Sequence, residues 1–161
     1  MQFVETVVIP EGATRFNLMP RLFGQGSIYY DEVSMYMIVD PESEEPSIPE
    51  DVPSSNYIPL PAGRNELVTD GGFENPDGNG GFTEWLTMNE AWGTYLKPED
   101  EIVHEGQHAL CITTDTSNNP WAKQAIADAE VVEGATYQVS AWINVPEAIN
   151  GNGAGFKIEY Y

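Results

Sequence analysis

Apolar and polar positions alternate along most of this chain, and alternation predicts strands. Residues 2–9 (QFVETVVI) set Phe3, Glu5, Val7 and Ile9 on one face. Pro10-Glu11-Gly12-Ala13 then reads as a turn and Thr14–Met19 as a second strand. Gly24-Gln25-Gly26 predicts a further turn before a long strand ending at Val39, whose Tyr, Val and Met suit a pleated, half-buried surface. Beyond residue 65 short strands are expected at 66–69, 102–103, 108–114, 124–129, 137–145 and 155–161. Asp70-Gly71-Gly72, residues 75–81 and Glu105-Gly106 separate them as turns, and 85–96 is an aromatic-rich stretch. No helical period is sustained; a short turn near 122–128 is the only helix candidate. About nine or ten strands at this turn spacing predict an all-β sandwich of two antiparallel sheets.

Residues 40–64 break the pattern. DPESEEPSIPEDVPSSNYIPLPAGR carries six prolines, four serines and five acids beyond Asp40. Such a stretch buries too little apolar surface to fold alone, and proline biases it toward extended conformers. It reads as a linker over 41–65, joining strands in 1–40 to strands in 66–161. At 161 residues the chain supports one good core and not two ordinary domains.

Charge then narrows the partners. Twenty-six acidic side chains stand against 6 basic ones, a net charge of −20. Nucleic acid and anionic membrane surfaces are excluded, because phosphate binding needs clustered Lys and Arg. Neutral ligands and cations suit the field better. The lone cysteine, Cys111, lies in the apolar run ALCIT and is expected to be a buried, inert thiol. No apolar run approaches the length of a membrane span.

Enzyme chemistry finds little footing. His104 and His108 in HEGQH have a zinc-like spacing, but Gly106 between them opposes the helix that would put both rings on one face. No Gly-x-Ser-x-Gly elbow is present, and the glycine-rich stretches lack the lysine and helix of a phosphate loop. Carboxylates abound, yet no motif singles out a pair for glycoside hydrolysis. A non-enzymatic protein is expected.

Sugar binding needs an aromatic platform beside hydrogen-bonding side chains. The strand at 137–145 alternates Tyr137, Val139, Ala141 and Ile143 with Gln138, Ser140, Trp142 and Asn144. The first set reads as core, the second as a groove bearing Trp142 and Gln138. On the last strand Lys157, Glu159 and Tyr161 form the polar set, and Lys157 and Glu159 are expected to face the same groove.

Several segments together carry a resemblance: LVTDGGFENPDG, HEGQHALCITT, PWAKQ and GATYQVSAWINV, with GSIYYDEVSM near the start. They resemble the carbohydrate-binding modules of the family 4, 9 and 22 type, which are appended to glycoside hydrolases. In that family the GGFEN segment opens the module and the YYDEV-like segment closes it; here the order is inverted. The resemblance therefore implies a jelly roll that is circularly permuted or strand-complemented. The alternative is the tail of one module joined to the head of the next, whose unpaired edges would drive strand-swapped self-association.

The same resemblance implies site residues. Trp121 would be a stacking platform with Gln124 as its hydrogen-bonding partner, and Trp92, in a segment where the family varies, would extend the platform. A structural calcium would be held by Asp31, Gly72, Glu74 and Gln107, tying the N-terminal strands to the later ones. Calcium's six to eight oxygen ligands tolerate such a scattered set. The expected function is a non-catalytic module, secreted or at the cell surface, that binds a polysaccharide or oligosaccharide of the β-glucan or xylan class. It would target a tethered glycoside hydrolase or other modules; the alternative is a structural or assembly module without sugar binding.

Overall fold

A computed structural model describes residues 1–38, 66–88, 91–127 and 131–161. The linker expected at 41–65, with Val39 and Asp40 before it, lies outside the described residues. Among the described residues eight strands form one antiparallel sheet: β1 (Gln2–Val8), β2 (Arg15–Ile38), β3 (Leu86–Thr87), β4 (Leu96–Glu99), β5 (Ala109–Thr114), β6 (Ala122–Ala127), β7 (Thr136–Asn144) and β8 (Asn150–Tyr160). No α-helix occurs among the described residues. The helix candidate near 122–128 is β6, residues 102–103 form no strand, and the last strand begins at Asn150 rather than at 155.

The organising element is β2, 24 residues long where strands usually have about 3–10. Its first half pairs with β6 and β8, and its second half with β5 and β7. β1 extends the sheet beyond β7, and β4 extends it beyond β5. The expected turn at Gly24-Gln25-Gly26 is a bend inside this continuous strand. Gly24 and Gly26 have φ of 149° and 140°, and the register slips between Phe23 and Gly24. A Cβ on Gly24 would stand 2.6 Å from the Asn150 carbonyl oxygen, so a side chain cannot be accommodated there.

The bend folds the sheet onto itself, the arrangement of a β-sandwich. Phe16, Leu18 and Leu22 from the first half of β2 are fully buried, as are Ile28, Tyr30 and Met35 from the second. Rings from the two wings meet across the core. Phe16 packs edge-on to Tyr137 of β7 at 6.1 Å, and Phe156 of β8 packs against both Tyr30 at 5.5 Å and Phe3 of β1 at 5.3 Å. The Tyr30 hydroxyl oxygen lies 2.8 Å from the carbonyl oxygens of both Arg21 and Gly155, which share its single proton, and so fastens one wing to the other. Strands from 1–38 thus close the sheet built by 66–161 within a single chain. Hydrogen bonding joins all eight strands through β2, rather than leaving the two separate sheets expected from sequence.

Candidate functional site

Alternation along β2 fixes what each wing presents to solvent. With Phe16, Leu18 and Leu22 turned to the core, Arg15, Asn17, Met19, Arg21 and Phe23 lie on the opposite face, where Arg15 is exposed, Arg21 and Phe23 are half-buried, and Asn17 and Met19 are covered by neighbours. The register carries this outward row onto both neighbours. Arg21 lies beside Gly155 of β8 and bridges to Trp121; Met19 lies beside Lys157; Asn17 lies between Glu159 and Ala125. Trp121, Lys157 and Glu159 therefore share one outer face. Trp121 is partly exposed, and the Lys123 ammonium sits 5.4 Å from its ring centroid. The Arg21 guanidinium lies over Phe23 at 5.2 Å, and that of Arg15 over Tyr161 at 4.5 Å. Beside Arg21 the face is open, since nothing lies within 4 Å of where a Cβ on Gly155 would stand.

Polar groups on this face are partly preset. Lys157 is paired with Glu159, and this bond holds the Glu159 carboxyl below the usual carboxylate range. The Tyr161 hydroxyl donates to Glu159 at 3.1 Å and accepts from the Asn17 amide at 3.3 Å. The result is an indole, amide and carboxylate groups and several cations above a glycine floor. Such a surface can stack on the apolar face of a sugar ring and hydrogen-bond its edges. Sequence reasoning missed Arg15, Asn17, Arg21 and Phe23. The signal was the alternation of Phe16, Leu18 and Leu22, cut short when the second strand was read as ending at Met19.

The other expected sugar-binding residues do not join this face. Gln124 is a correction: it is 8 % exposed and points inward. Its amide oxygen accepts from the Thr69 N–H at 2.7 Å, and its nitrogen donates to the carbonyls of Thr69 and Glu84. It fastens the 69–84 segment to β6 and has no free group for a ligand. Trp142 and Gln138 do alternate outward from the buried Tyr137, Val139 and Ala141, but on the outer face of the opposite wing. There the His104 imidazole stacks on Trp142 with centroids 3.8 Å apart and 15° between planes. Around this pair a hollow of about 320 Å³ is lined by Tyr29, Asp31, Val103 and Asn144 among others. Lys157 and Glu159 accordingly do not share a groove with Trp142. Trp92 packs its ring onto Gly81 and lies edge-on to Phe82 at 5.9 Å, as part of the cap over the core.

The expected calcium residues do come together, around the turn at 104–108. Asp31, buried on β2, accepts the N–H groups of His104 at 2.8 Å and Glu105 at 3.1 Å. The Glu74 carboxylate accepts those of Gln107 at 2.9 Å and His108 at 3.0 Å. A Cβ on Gly106, at φ 76°, would stand 2.2 Å from Glu74 Oε1, so the carboxylate fits against bare backbone. HEGQH is thus a turn and not a zinc helix. Gly72 lies between carboxylates, a Cβ there standing 3.7 Å from Glu32 Oε1 and 3.8 Å from Glu74 Cγ.

Glu32 was not foreseen from sequence. It occupies the register slip between Asp31 and Ser34 with φ 52°, an uncommon conformation for a residue with a side chain. Burial pushes its carboxyl up, and the charges of Asp31, Glu105 and Glu74 add to the rise. Burial also raises Asp31, against the pull of its backbone hydrogen bonds. In the turn carrying Gly72 and Glu74, Asp70 Oδ2 is buried with no hydrogen-bond partner among the described residues. The mutual repulsion of the crowded carboxylates is what a hard cation would relieve. Among the described residues no three His, Cys, Asp or Glu side chains converge at metal-binding distance, so backbone oxygens would have to complete the shell.

Comparison with family models, curated proteins and solved structures returned no match. Among the described residues no helix is long and apolar enough to cross a membrane.

Proposed function

We propose that this chain is a non-catalytic carbohydrate-binding module whose sugar site is the outer face formed by β6, the first half of β2 and β8. The observation that carries the reading is the row Trp121–Arg21–Gly155, an indole beside a cation and an open glycine floor. Trp121 stacks on a sugar ring, while Lys157 and Glu159 supply hydrogen bonds around it; the buried Asn17 amide holds Tyr161 in place beside them. The ligand is a polysaccharide of the β-glucan or xylan class, and the module raises the local substrate concentration of an attached enzyme. Affinity electrophoresis against both polymers tests this. Wild-type protein is expected to be retarded in at least one gel and Trp121→Ala to run as in the sugar-free gel; wild-type migration unaltered in every gel sinks the proposal.

A structural calcium belongs to the same reading. At most two of the carboxylates of Asp31, Glu32 and Glu74 would reach one ion at the 104–108 turn, with carbonyl oxygens of Gly72 and Gln107 completing the shell. The Gln107 N–H is already taken by Glu74, which leaves its carbonyl for the cation. A bound ion would compensate the charge of the carboxylates and fasten β2 to the two turns. It has no part in sugar chemistry.

A further inference from the structure

We infer that the polysaccharide bound by the Trp121 face carries isolated carboxylates, as uronic acid residues on an otherwise neutral backbone. The inference rests on the sugar-binding reading of that face and specifies its ligand.

With 26 acids and 6 bases in the chain, a cation finds a carboxylate neighbour by default. Lys97 and Lys157 do, pairing with Glu99 and Glu159. Arg15, Arg21 and Lys123 make no ion pair among the described residues, and all three stand on the Trp121 face, each over an aromatic ring. Neither guanidinium donates a hydrogen bond to a described residue, and Arg21 Nε is buried without a partner. A cation over a ring keeps its charge while its donor edge stays free. Arginine's fork matches a carboxylate two bonds at a time, which a sugar hydroxyl cannot do.

The surrounding field decides how dense the ligand's charge can be. A continuous polyanion would run off this face onto the surface of a molecule with net charge −20. Beyond about 8 Å that repulsion is screened at physiological ionic strength. Single uronates spaced along a neutral chain can therefore meet the cations without meeting the acids.

Calorimetric titration with matched oligosaccharides tests this. One pair is a xylo-oligosaccharide with and without a single glucuronate branch; the other is a cello-oligosaccharide with and without one C6 carboxylate. Polygalacturonate is the fifth probe. In at least one pair the acidic member is expected to bind about tenfold tighter than the neutral one. The Arg21→Gln/Lys123→Gln variant, its folding verified by circular dichroism, is expected to bring that ratio close to one. Raising NaCl to 0.5 M is expected to narrow it. Equal affinities within each pair overturn the inference and leave the sugar-binding reading standing. Tightest binding to polygalacturonate overturns the isolated-charge form of the ligand. No binding to any probe overturns both the inference and the reading beneath it.

Discussion

Tyr30 joins core to surface through one hydroxyl. Its ring is fully buried against Phe156, while its oxygen reaches the carbonyls of Arg21 and Gly155. Those two residues form the outward row beside Trp121, so the group that ties the wings together also sets the floor of the candidate site. Burial drives the phenol's pKa well above its ordinary value, so it stays a neutral donor throughout the working pH range. Tyr30→Phe leaves both carbonyls without this donor and is expected to cost about 1–3 kcal/mol in chemical denaturation. A midpoint equal to wild type would contradict the role given to this hydroxyl. Single residues also mark where sequence reading stops. Alternation correctly placed Trp142 and Gln138 outward and Tyr137 and Val139 inward. It could not place His104 on the Trp142 ring, because that contact links residues far apart in sequence. Gln124 was misread for a related reason: an amide holding a distant backbone segment looks, in sequence, like an amide free for a ligand.

Among the elements, β2 was half legible. Strands were foreseen at Thr14–Met19 and, from its Tyr, Val and Met, in the stretch ending at Val39, with a turn at Gly24-Gln25-Gly26 between them. That the chain bends there rather than reverses was not. The same glycines permit either outcome, and the choice is made by β6 and β8 claiming one arm while β5 and β7 claim the other. Short β3 and β4 were hidden because two to four residues carry no period. Asp31, Glu74 and the turn after Val103 were brought together by resemblance alone, and Glu32 escaped because nothing local announces a bulge. This junction has a definite pH signature. Asp31 and Glu32 are raised in the folded state, so it holds their protons more tightly than the unfolded chain does. The stability they contribute is full below the ordinary carboxylate range and is lost as pH rises through their raised values. In EDTA the melting temperature is expected to climb as pH is lowered from 7 toward about 5, with Glu32→Gln reducing the climb. Calcium binds the ionised carboxylates, so with calcium the stability is expected to be higher at pH 7 and to fall on acidification. A melting temperature at pH 7 unaltered between EDTA and calcium removes the metal from the account.

Over the whole molecule, the fold sorts a strongly acidic chain into two unlike outer faces. One bears Trp142 under His104 above a hollow; the other bears Trp121 among three cations that have no carboxylate partner among the described residues. That sorting separates residues the sequence had grouped in one groove, and it ties the proposed sugar site to one indole, Trp121. Four tryptophans report on it at once through their indole N–H groups: Trp85 in the core, Trp92 in the cap, and Trp121 and Trp142 on opposite faces. Titrating the ¹⁵N-labelled protein with xylo- and cello-oligosaccharides, neutral and uronate-bearing, while following these four resonances is the most direct measurement. The Trp121 signal is expected to shift and saturate with the Trp85 signal stationary. A response confined to Trp142, or none at any indole, would contradict the assignment of the sugar site to the β6–β2–β8 face.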